Sequence, residues 1–539
     1  MKETQGQFNL PGVPKAKQDR EVPPQWEWTE ASVWTERMLT TLERGIKGGK
    51  WFSLSDKVWK MENLQSAVKK VARGKSVKKA DGRRCRRYAE SSHRRLPIVQ
   101  EQLKNGEYYP EPVQRIWIPK LGSKELRPLG VPTVEGRVVE MAVRNVIEPI
   151  FENAFAEHSY GFRPKRGAKD ALRRVVQLLD QGRYWVVDAD IKGYFDNIPQ
   201  DKLMQALSEH ISDGRLLELI ERFLKQGVME SCKGWQPTET GTPQGAVISP
   251  LLANIYLNPL DHMMAGKGRE MVRYADDFVI LCTSQQEAEQ ALDEIKEWMG
   301  KAGLTLHPTK TRIVNATEKG GFDFLGYHFE RGYRWPREKS LDKFKDAIRQ
   351  KTPRLRPGGM SDIIQDINRT VKGWFGYFKH SHKTTFQPLD EWIRQRLRTI
   401  LRKRNKGSGR ARGRDHYKWP NAYFVELGLF SLATARVQAV NSRREPLTGK
   451  PYAGKPPVRF GGRGGVQPPV PTPIERRRGG SWGAAGGRGI DSRQGLAGKR
   501  AREEIVVLLI SGQLVQQPPR WFSVLLEQPQ GVEGLKLEF

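Results

Sequence analysis

Cysteine is scarce in this 539-residue chain: Cys85, Cys232 and Cys282 are isolated, with no Cys-x-x-Cys pair. That spacing excludes a disulfide framework and a cysteine zinc site. Long apolar runs are missing as well. Ile505-Val506-Val507-Leu508-Leu509-Ile510 is too short to span a bilayer, and the polar start Met1-Lys2-Glu3-Thr4 predicts no secretory leader. No internal repeat is present. Acidic residues are outnumbered, with 61 Asp+Glu against 92 Lys+Arg and a formal charge of +31. Solubility does not require such an excess, and without a membrane segment a polyanion is the simplest partner. The expectation is an intracellular, soluble protein of several domains.

Carboxylates in apolar surroundings carry the chemistry. Tyr274-Ala275-Asp276-Asp277 lies between Met271-Val272-Arg273 and Phe278-Val279-Ile280-Leu281-Cys282, so two adjacent acids interrupt what reads as two short strands. Acids in such a setting are costly unless paired or holding a metal, and adjacent like charges repel. A divalent cation is one remedy; the alternative is a plain turn, where Asp is common. A second apolar run, from Tyr184-Trp185-Val186-Val187 to Asp188-Ala189-Asp190-Ile191-Lys192-Gly193, also ends on acids followed by Gly, the pattern of a strand leaving a sheet. Two strands of one sheet can bring these acids together. Hard oxygen ligands select Mg²⁺, completed by waters and substrate phosphates. Such a site performs two-metal phosphoryl transfer. Strand alternation puts Asp188 on the face of Asp190, so geometry alone leaves both open.

At these residues the sequence resembles the reverse transcriptases encoded by group II introns, which double as splicing maturases. The resemblance runs in order through Arg127-Pro128-Leu129-Gly130-Val131-Pro132-Thr133, Ser159-Tyr160-Gly161-Phe162-Arg163-Pro164 and Asp190-Ile191-Lys192-Gly193. It continues through Gly241-Thr242-Pro243-Gln244-Gly245 up to Asn254, Tyr274 to Asp277, Leu306-His307-Pro308-Thr309-Lys310-Thr311 and Phe324-Leu325-Gly326-Tyr327. A thumb-like likeness follows in Gly373-Trp374-Phe375-Gly376-Tyr377-Phe378 and Leu389-Asp390-Glu391-Trp392-Ile393-Arg394. The resemblance implies an α+β right-hand polymerase: fingers, a palm with an antiparallel sheet and a helical thumb. It divides the chain into a basic RNA-binding extension at 1–99, fingers and palm at 100–335, a thumb and maturase domain at 336–441, and a Gly/Pro/Arg-rich tail at 442–539.

By the same resemblance Asp190, Asp276 and Asp277 form the catalytic, metal-binding triad, with the backbone carbonyl of Ile191 as a further ligand. The implied cofactor is a pair of Mg²⁺ ions, with Mn²⁺ as substitute. Tyr194 takes the place of the aromatic that rejects a ribonucleotide's 2′-hydroxyl; core packing is its other reading. Lys120 and Arg127 match the basic pair that clamps the incoming triphosphate, with Lys124 as substitute for Lys120. Gln244 is expected beside the nucleotide. Lys310 resembles the lysine that protonates departing pyrophosphate, a solvated surface lysine being the alternative. Phe324 to Tyr327 resembles the primer-gripping hairpin. Two positions depart from the pattern: Gly136 stands where relatives usually have Asp, losing a local salt bridge or cap, and Ala246 replaces a usual second Gly. Asp196 with Asn197 is expected to cap the next helix.

Periodicity fills in the rest. Val58, Met61, Leu64, Ala67 and Val71 recur at helical spacing within Trp34 to Val71. Lys69 to Arg95, including Lys75, Lys78, Arg83, Arg84, Arg86 and Arg87, is a cationic stretch expected on an RNA backbone, a solvated face being the alternative. Helices are predicted from Ala168 to Gln181, Lys202 to Lys225, Gln285 to Gly300, Leu341 to Lys351, Asp362 to Phe378 and Leu389 to Arg404. The aromatics of the last three are expected mainly in core packing. Met1 to about Gln25 reads as a loose lead-in, and the Gly, Pro and Arg composition beyond Asn441 predicts disorder.

The leading expectation is an RNA-directed DNA polymerase, a nucleotidyltransferase that also binds group II intron RNA and assists its splicing and mobility. Its implied partners are intron RNA, an RNA template with DNA primer, dNTPs and target DNA, in the cytoplasm or at the nucleoid. Alternatives are a splicing-only maturase, which the complete triad argues against, and a domesticated reverse transcriptase in phage defence or repair. Many relatives carry a His-Asn-His endonuclease braced by cysteine pairs. Nothing after Asn441 supplies such ligands, so second-strand cleavage is not expected.

Overall fold

A computed structural model describes residues 24–46, 48–74, 79–119, 126–231 and 233–444. Lys120, Lys124, Cys232, Lys75, Lys78, the lead-in up to residue 23 and the tail from residue 445, with its Ile505 to Ile510 run, lie outside the described residues. The described chain up to Val437 forms one compact unit.

The strands in chain order are β1 (Val113–Pro119), β2 (Leu126–Val131), β3 (Trp185–Asp190), β4 (Val228–Glu230), β5 (Gly234–Gln236) and β6 (Glu270–Tyr274). They continue as β7 (Asp277–Cys282), β8 (Arg312–Asn315), β9 (Phe322–Phe324), β10 (Tyr327–Glu330) and β11 (Tyr333–Pro336). The central sheet has the order β6-β7-β3-β8 with antiparallel neighbours throughout. A second sheet, β2-β1-β4-β5, is built on the β1/β2 hairpin and includes one parallel pairing, β1 with β4. The third, β11-β10-β9, is an antiparallel meander.

The central sheet is buried on both faces, which explains the unbroken apolar run of β7. Val187, Ala189, Phe278, Ile280 and Cys282 enter the main core, while Val186, Val279 and Leu281 join Tyr160, Val175, Phe322 and Phe324 on the other face. The helix Gln285–Lys301 covers the first face with Ala288, Ala291, Ile295 and Met299, a helical stripe. Its start is a capping box in all but the box residue's backbone partner: Ser284 Oγ accepts from Glu287 N at 3.2 Å, and Glu287 accepts from Thr283 N at 2.8 Å. The helix Ala168–Asp180 lies on the second face.

Several predicted helices keep their place: Glu338–Lys351, Met360–Phe378 and Phe386–Arg404 each start a few residues early. Together they enclose a separate core of Phe344, Ile348, Ile367, Val371, Ile393 and Leu397. Trp374 stacks on Phe344 with centroids 4.6 Å apart, as core packing requires. The helix Met360–Phe378 is tied to the β9/β10 hairpin by two bonds: Tyr327 Oη donates to Tyr377 O at 2.7 Å and Tyr377 Oη to Leu325 O at 2.8 Å. That turn has positive φ at Leu325 (46°) and Gly326 (82°), the backbone of a tight hairpin.

Others break. Trp34 to Val71 is three helices, Glu36–Arg44, Ser55–Val58 and Met61–Arg73, because Gly45, Gly48 and Gly49 all take positive φ between the first two. Lys202 to Lys225 is two helices, Gln200–Ser208 and Gly214–Lys225. Asp213 makes the break: Oδ1 accepts from Leu216 N at 3.1 Å, capping the second helix, while Oδ2 accepts from Leu54 N at 2.7 Å and Ser55 N at 2.8 Å. Asp196 does not cap the helix that follows it. It sits inside the short helix Tyr194–Asn197, Pro199 holds the N-cap position, and Asn197 Nδ2 turns back to Lys192 O at 3.0 Å.

Asp213→Ala should therefore lower unfolding free energy by about 1–2 kcal/mol, loosening the N-terminal helices as well as its own. Burial would raise the Asp213 pKa, but its bonds to Ser55, Leu216 and Leu54 outweigh that and hold it below the usual value. Its contribution is complete above the unfolded value of about 3.9 and fades as pH falls through the lower folded value. Urea titrations of both proteins between pH 3 and 7 check this; a difference that grows towards pH 3 contradicts it.

Candidate active site

Asp190 ends β3 and Asp277 begins β7, and the two are direct partners in the antiparallel register. Their Cβ atoms therefore lie about 4.5–5.5 Å apart. Asp276 and Ala275 form the two-residue turn between Tyr274 and Asp277, which are register partners of β6 and β7. Ala275 takes φ +61°, where a residue with a Cβ costs about 1–3 kcal/mol.

The turn is held from beneath by Arg273, which is fully buried at 0% exposure. Its Nε donates to Asp261 Oδ1 at 2.7 Å and its Nη1 to Asn254 Oδ1 at 3.0 Å and Ala275 O at 2.9 Å. Asn254 and Asp261 stand seven positions apart on one face of the helix Ser249–Gly266. Asn254 Nδ2 in turn donates to Gly161 O at 2.7 Å. Gly161 packs so closely under the turn that a Cβ there would meet Ala275 N at 2.2 Å. Arg273 and Asp261 went unread as functional in the sequence. The available signal was a charge inside an apolar strand, which demands a buried partner.

Burial and neighbouring charge act on two of the three acids, Asp276 and Asp277. Burial first, then the charges of Asp276, Asp188 and Asp190, push the Asp277 carboxyl up to about 7 against a smaller pull from Arg337. Burial and Asp190 also raise Asp276, while Arg127 and Arg273 oppose the rise. Asp188, left open by strand alternation, faces Arg312 of β8 in register, and Arg312 Nε donates to its Oδ2 at 3.3 Å. Asp190 is met by Lys310, whose Nζ lies 2.6 Å from Oδ2. Lys310 is thus paired to an acid of the site. Among the described residues no three His, Cys, Asp or Glu side chains already converge as a metal cluster. The donor set nevertheless fits a hard divalent cation, because burial and neighbouring charge disfavour bare carboxylates at Asp276 and Asp277, and Asp190 adds a third oxygen donor in register with Asp277.

The other expected residues are placed as follows. Arg127 is exposed on β2 and close enough to offset part of the rise that burial gives both Asp196 and Asp276. Gln244 is half-buried, its carbonyl accepting from Gly130 N at 2.8 Å, which ties its loop to β2. Ile191 is buried and pairs with Leu306, and the carbonyl of Asp190 accepts from His307 N at 2.7 Å. Tyr194 is 2% exposed with its hydroxyl on Ala253 O at 2.6 Å, so packing describes the ring as it stands. At Gly136 the cap is kept, since Thr133 Oγ1 accepts from its amide at 3.1 Å. Ala246 is buried. The following amide, Val247 N, donates at 2.5 Å to Glu140, a buried carboxyl whose pKa burial pushes up to about 7.

Residues 118–329 match the family described as reverse transcriptase (RNA-dependent DNA polymerase), and residues 341–419 match the group II intron, maturase-specific domain. The group II intron-encoded protein LtrA of Lactococcus lactis subsp. cremoris is 44% identical over 172 residues, 32% of this chain and 28% of that protein. Protein YkfC of Escherichia coli is 34% identical over 275 residues, 44% of this chain and 71% of that protein. Among solved structures, telomerase from Candida albicans aligns with a TM-score of 0.35 at 14% identity, covering 59% of this chain and 63% of that one, a likeness too weak to bear on fold or function. Sheet, acids and helical domain define a reverse transcriptase joined to a maturase-specific domain. The chain belongs to the group II intron-encoded reverse transcriptase and maturase family. The α+β right-hand class stands with that membership, and reverse transcriptases generally use divalent metal ions. Among the described residues no helix is long and apolar enough to cross a membrane.

Asp261→Ala leaves Arg273 buried and uncompensated, so unfolding free energy should fall by about 3–5 kcal/mol. Denaturant titration measures it. A loss under about 1 kcal/mol, the range of an exposed pair, would mean that Arg273 does not brace the turn.

Proposed function

We propose that this chain is an RNA-directed DNA polymerase that also binds group II intron RNA and assists its splicing and mobility. The register pairing of Asp190 with Asp277, with Asp276 in the adjoining turn, carries the proposal. Residues 100–335 serve as fingers and palm, 336–441 as thumb and maturase domain, and 1–99 as a basic RNA-binding extension. The substrates are dNTPs on an RNA template with a DNA primer, and target DNA is a further partner. The protein works in the cytoplasm and at the nucleoid.

Asp190, Asp276, Asp277 and the carbonyl of Ile191 hold two Mg²⁺ ions, with Mn²⁺ as substitute. Bound there, the ions supply two-metal phosphoryl transfer, activating the attacking hydroxyl and stabilising the leaving oxygen. The chain does the rest by binding and positioning. Arg127 and Lys120 clamp the triphosphate, and Gln244 borders the nucleotide on a loop fastened to β2. Lys310 supplies a proton to departing pyrophosphate from its place beside Asp190. Tyr194, fixed through its hydroxyl, forms an unyielding wall against a 2′-hydroxyl.

Primer extension on an RNA template with Mg²⁺ tests the site. Asp276→Asn should reduce extension by a factor of about 10² or more while RNA affinity, spread over many phosphates, stays within about two-fold. Extension at the wild-type rate overturns the assignment. Tyr194→Ala should raise ribonucleotide relative to deoxyribonucleotide incorporation, a ratio internal to each preparation that loss of folded protein does not alter. An unchanged ratio returns Tyr194 to packing alone. For the maturase role, neutralising Arg83, Arg84, Arg86 and Arg87 should lower the salt dependence of intron RNA binding by roughly 0.7–0.9 for each phosphate no longer neutralised and slow protein-assisted splicing. Splicing that the wild-type protein fails to accelerate leaves only the polymerase.

A further inference from the structure

A cleft of about 570 Å³ opens at the end of the central sheet away from the acids. Tyr184 lies on its wall and immediately precedes β3, whose last residue is Asp190, so about 20 Å of strand separates the cleft from the chemistry. Its walls come from the end of the helix Ala168–Asp180, the β10/β11 hairpin, the turn after the helix Met360–Phe378, and Arg436. It crosses the seam between the central sheet and the maturase-specific helices.

The cleft combines two kinds of group. Aromatic faces are open: Tyr333 is 55% exposed and Tyr184 is 40% exposed. Tyr333 is backed edge-on by His382, with ring centroids 4.8 Å apart, and by Trp335 at 5.8 Å. The backing is fixed by the backbone, since His382 N donates to Arg334 O at 2.7 Å. Cations line the same walls: Arg334, Lys383 and Arg436. Arg334 is preset, its Nε donating to His380 O at 2.8 Å. Of the two acids on the walls, Glu330 is engaged by His328 Nε2 at 3.3 Å and Gly320 N at 3.3 Å, leaving Asp180 as the acid at the rim.

We propose that this cleft takes single-stranded RNA, one unpaired base stacking on Tyr333 and the flanking phosphates meeting Arg334, Lys383 and Arg436. Rings beside preset cations are what sequence-tolerant single-strand recognition uses, since every base has a π-face and every linkage a charge. The cleft volume falls in the range of about 300–1,000 Å³ that small organic groups occupy. A duplex, whose bases are already stacked, gains nothing from the ring. This site rests on the RNA-binding proposal above but is separate from template and nucleotide binding at the acids.

The test uses the full chain and a ten-nucleotide RNA carrying one 4-thiouridine, photocrosslinked and mapped by mass spectrometry of the peptides. Total RNA retention is read in parallel by filter binding. The oligonucleotide should crosslink to the peptides holding Tyr333 or His382. Tyr333→Ala should lower that crosslink by about five-fold or more, and Tyr333→Phe, which keeps the ring, should preserve it. Retained RNA with no crosslink in these peptides, or equal yields from wild type and Tyr333→Ala, overturns the cleft while the RNA-binding reading survives. No RNA retention by the wild type overturns that reading itself. Competition distinguishes other occupants: duplex RNA, free AMP or oligoglutamate displacing the crosslink as well as unlabelled single strand would each contradict the proposal.

Discussion

Arg273 is the point on which the Tyr274–Asp277 hairpin depends. Its guanidinium, enclosed completely, joins the carboxylate of Asp261, the amide of Asn254 and the carbonyl of Ala275. Through Asn254 the same network reaches Gly161. Two distant stretches of chain, at Gly161 and in the helix Ser249–Gly266, thus converge under one two-residue turn. A buried ion pair is poor evidence for net stability, since hydrophobic residues could fill the space at similar free energy. What it provides here is position: Ala275 is kept at a positive φ, which fixes where the next residue, Asp276, stands.

That placement explains the electrostatics. The sheet brings Asp190 and Asp277 into register, and the turn adds Asp276, so burial and neighbouring charge act on Asp276 and Asp277. Cations approach from separate elements: Lys310 meets Asp190, Arg312 occupies Asp188, and Arg127 reaches over from β2. A divalent ion would relieve carboxylates raised first by burial and then by neighbouring negative charge. The fold stores unfavourable charge interactions at Asp276 and Asp277.

Much of this could be read from the chain. Helices with a clean apolar stripe, such as Ala168–Asp180 and Gln285–Lys301, stand almost where periodicity put them, and the acids interrupting apolar strands led to the site. The misses have local causes. Asp213 splits a long amphipathic pattern because its side chain serves two segments at once, a tertiary demand that periodicity does not encode. Alternation left Asp188 and Asp190 equivalent and the family motif chose Asp190; in the structure each meets a cation from farther along the chain, Arg312 and Lys310. Tyr194 carried two readings, and its burial describes the packing one without testing the other. Arg273 was passed over although a charge inside an apolar strand called for a buried partner, because that partner, Asp261, lies on a helix twelve residues earlier that the sequence did not join to it.

The central claim is that Asp190, Asp276 and Asp277, drawn from two strands and a turn, hold a divalent ion together. Iron-directed backbone cleavage tests it without relying on polymerisation: Fe²⁺ replaces Mg²⁺, ascorbate and peroxide generate hydroxyl radicals at the bound ion, and cut sites are mapped by mass. The account predicts cuts clustered near residue 190 and near residues 275–277, suppressed by excess Mg²⁺ and lost in Asp276→Asn. Cuts scattered along the chain, or a cluster unaffected by Mg²⁺ and by Asp276→Asn, would contradict it.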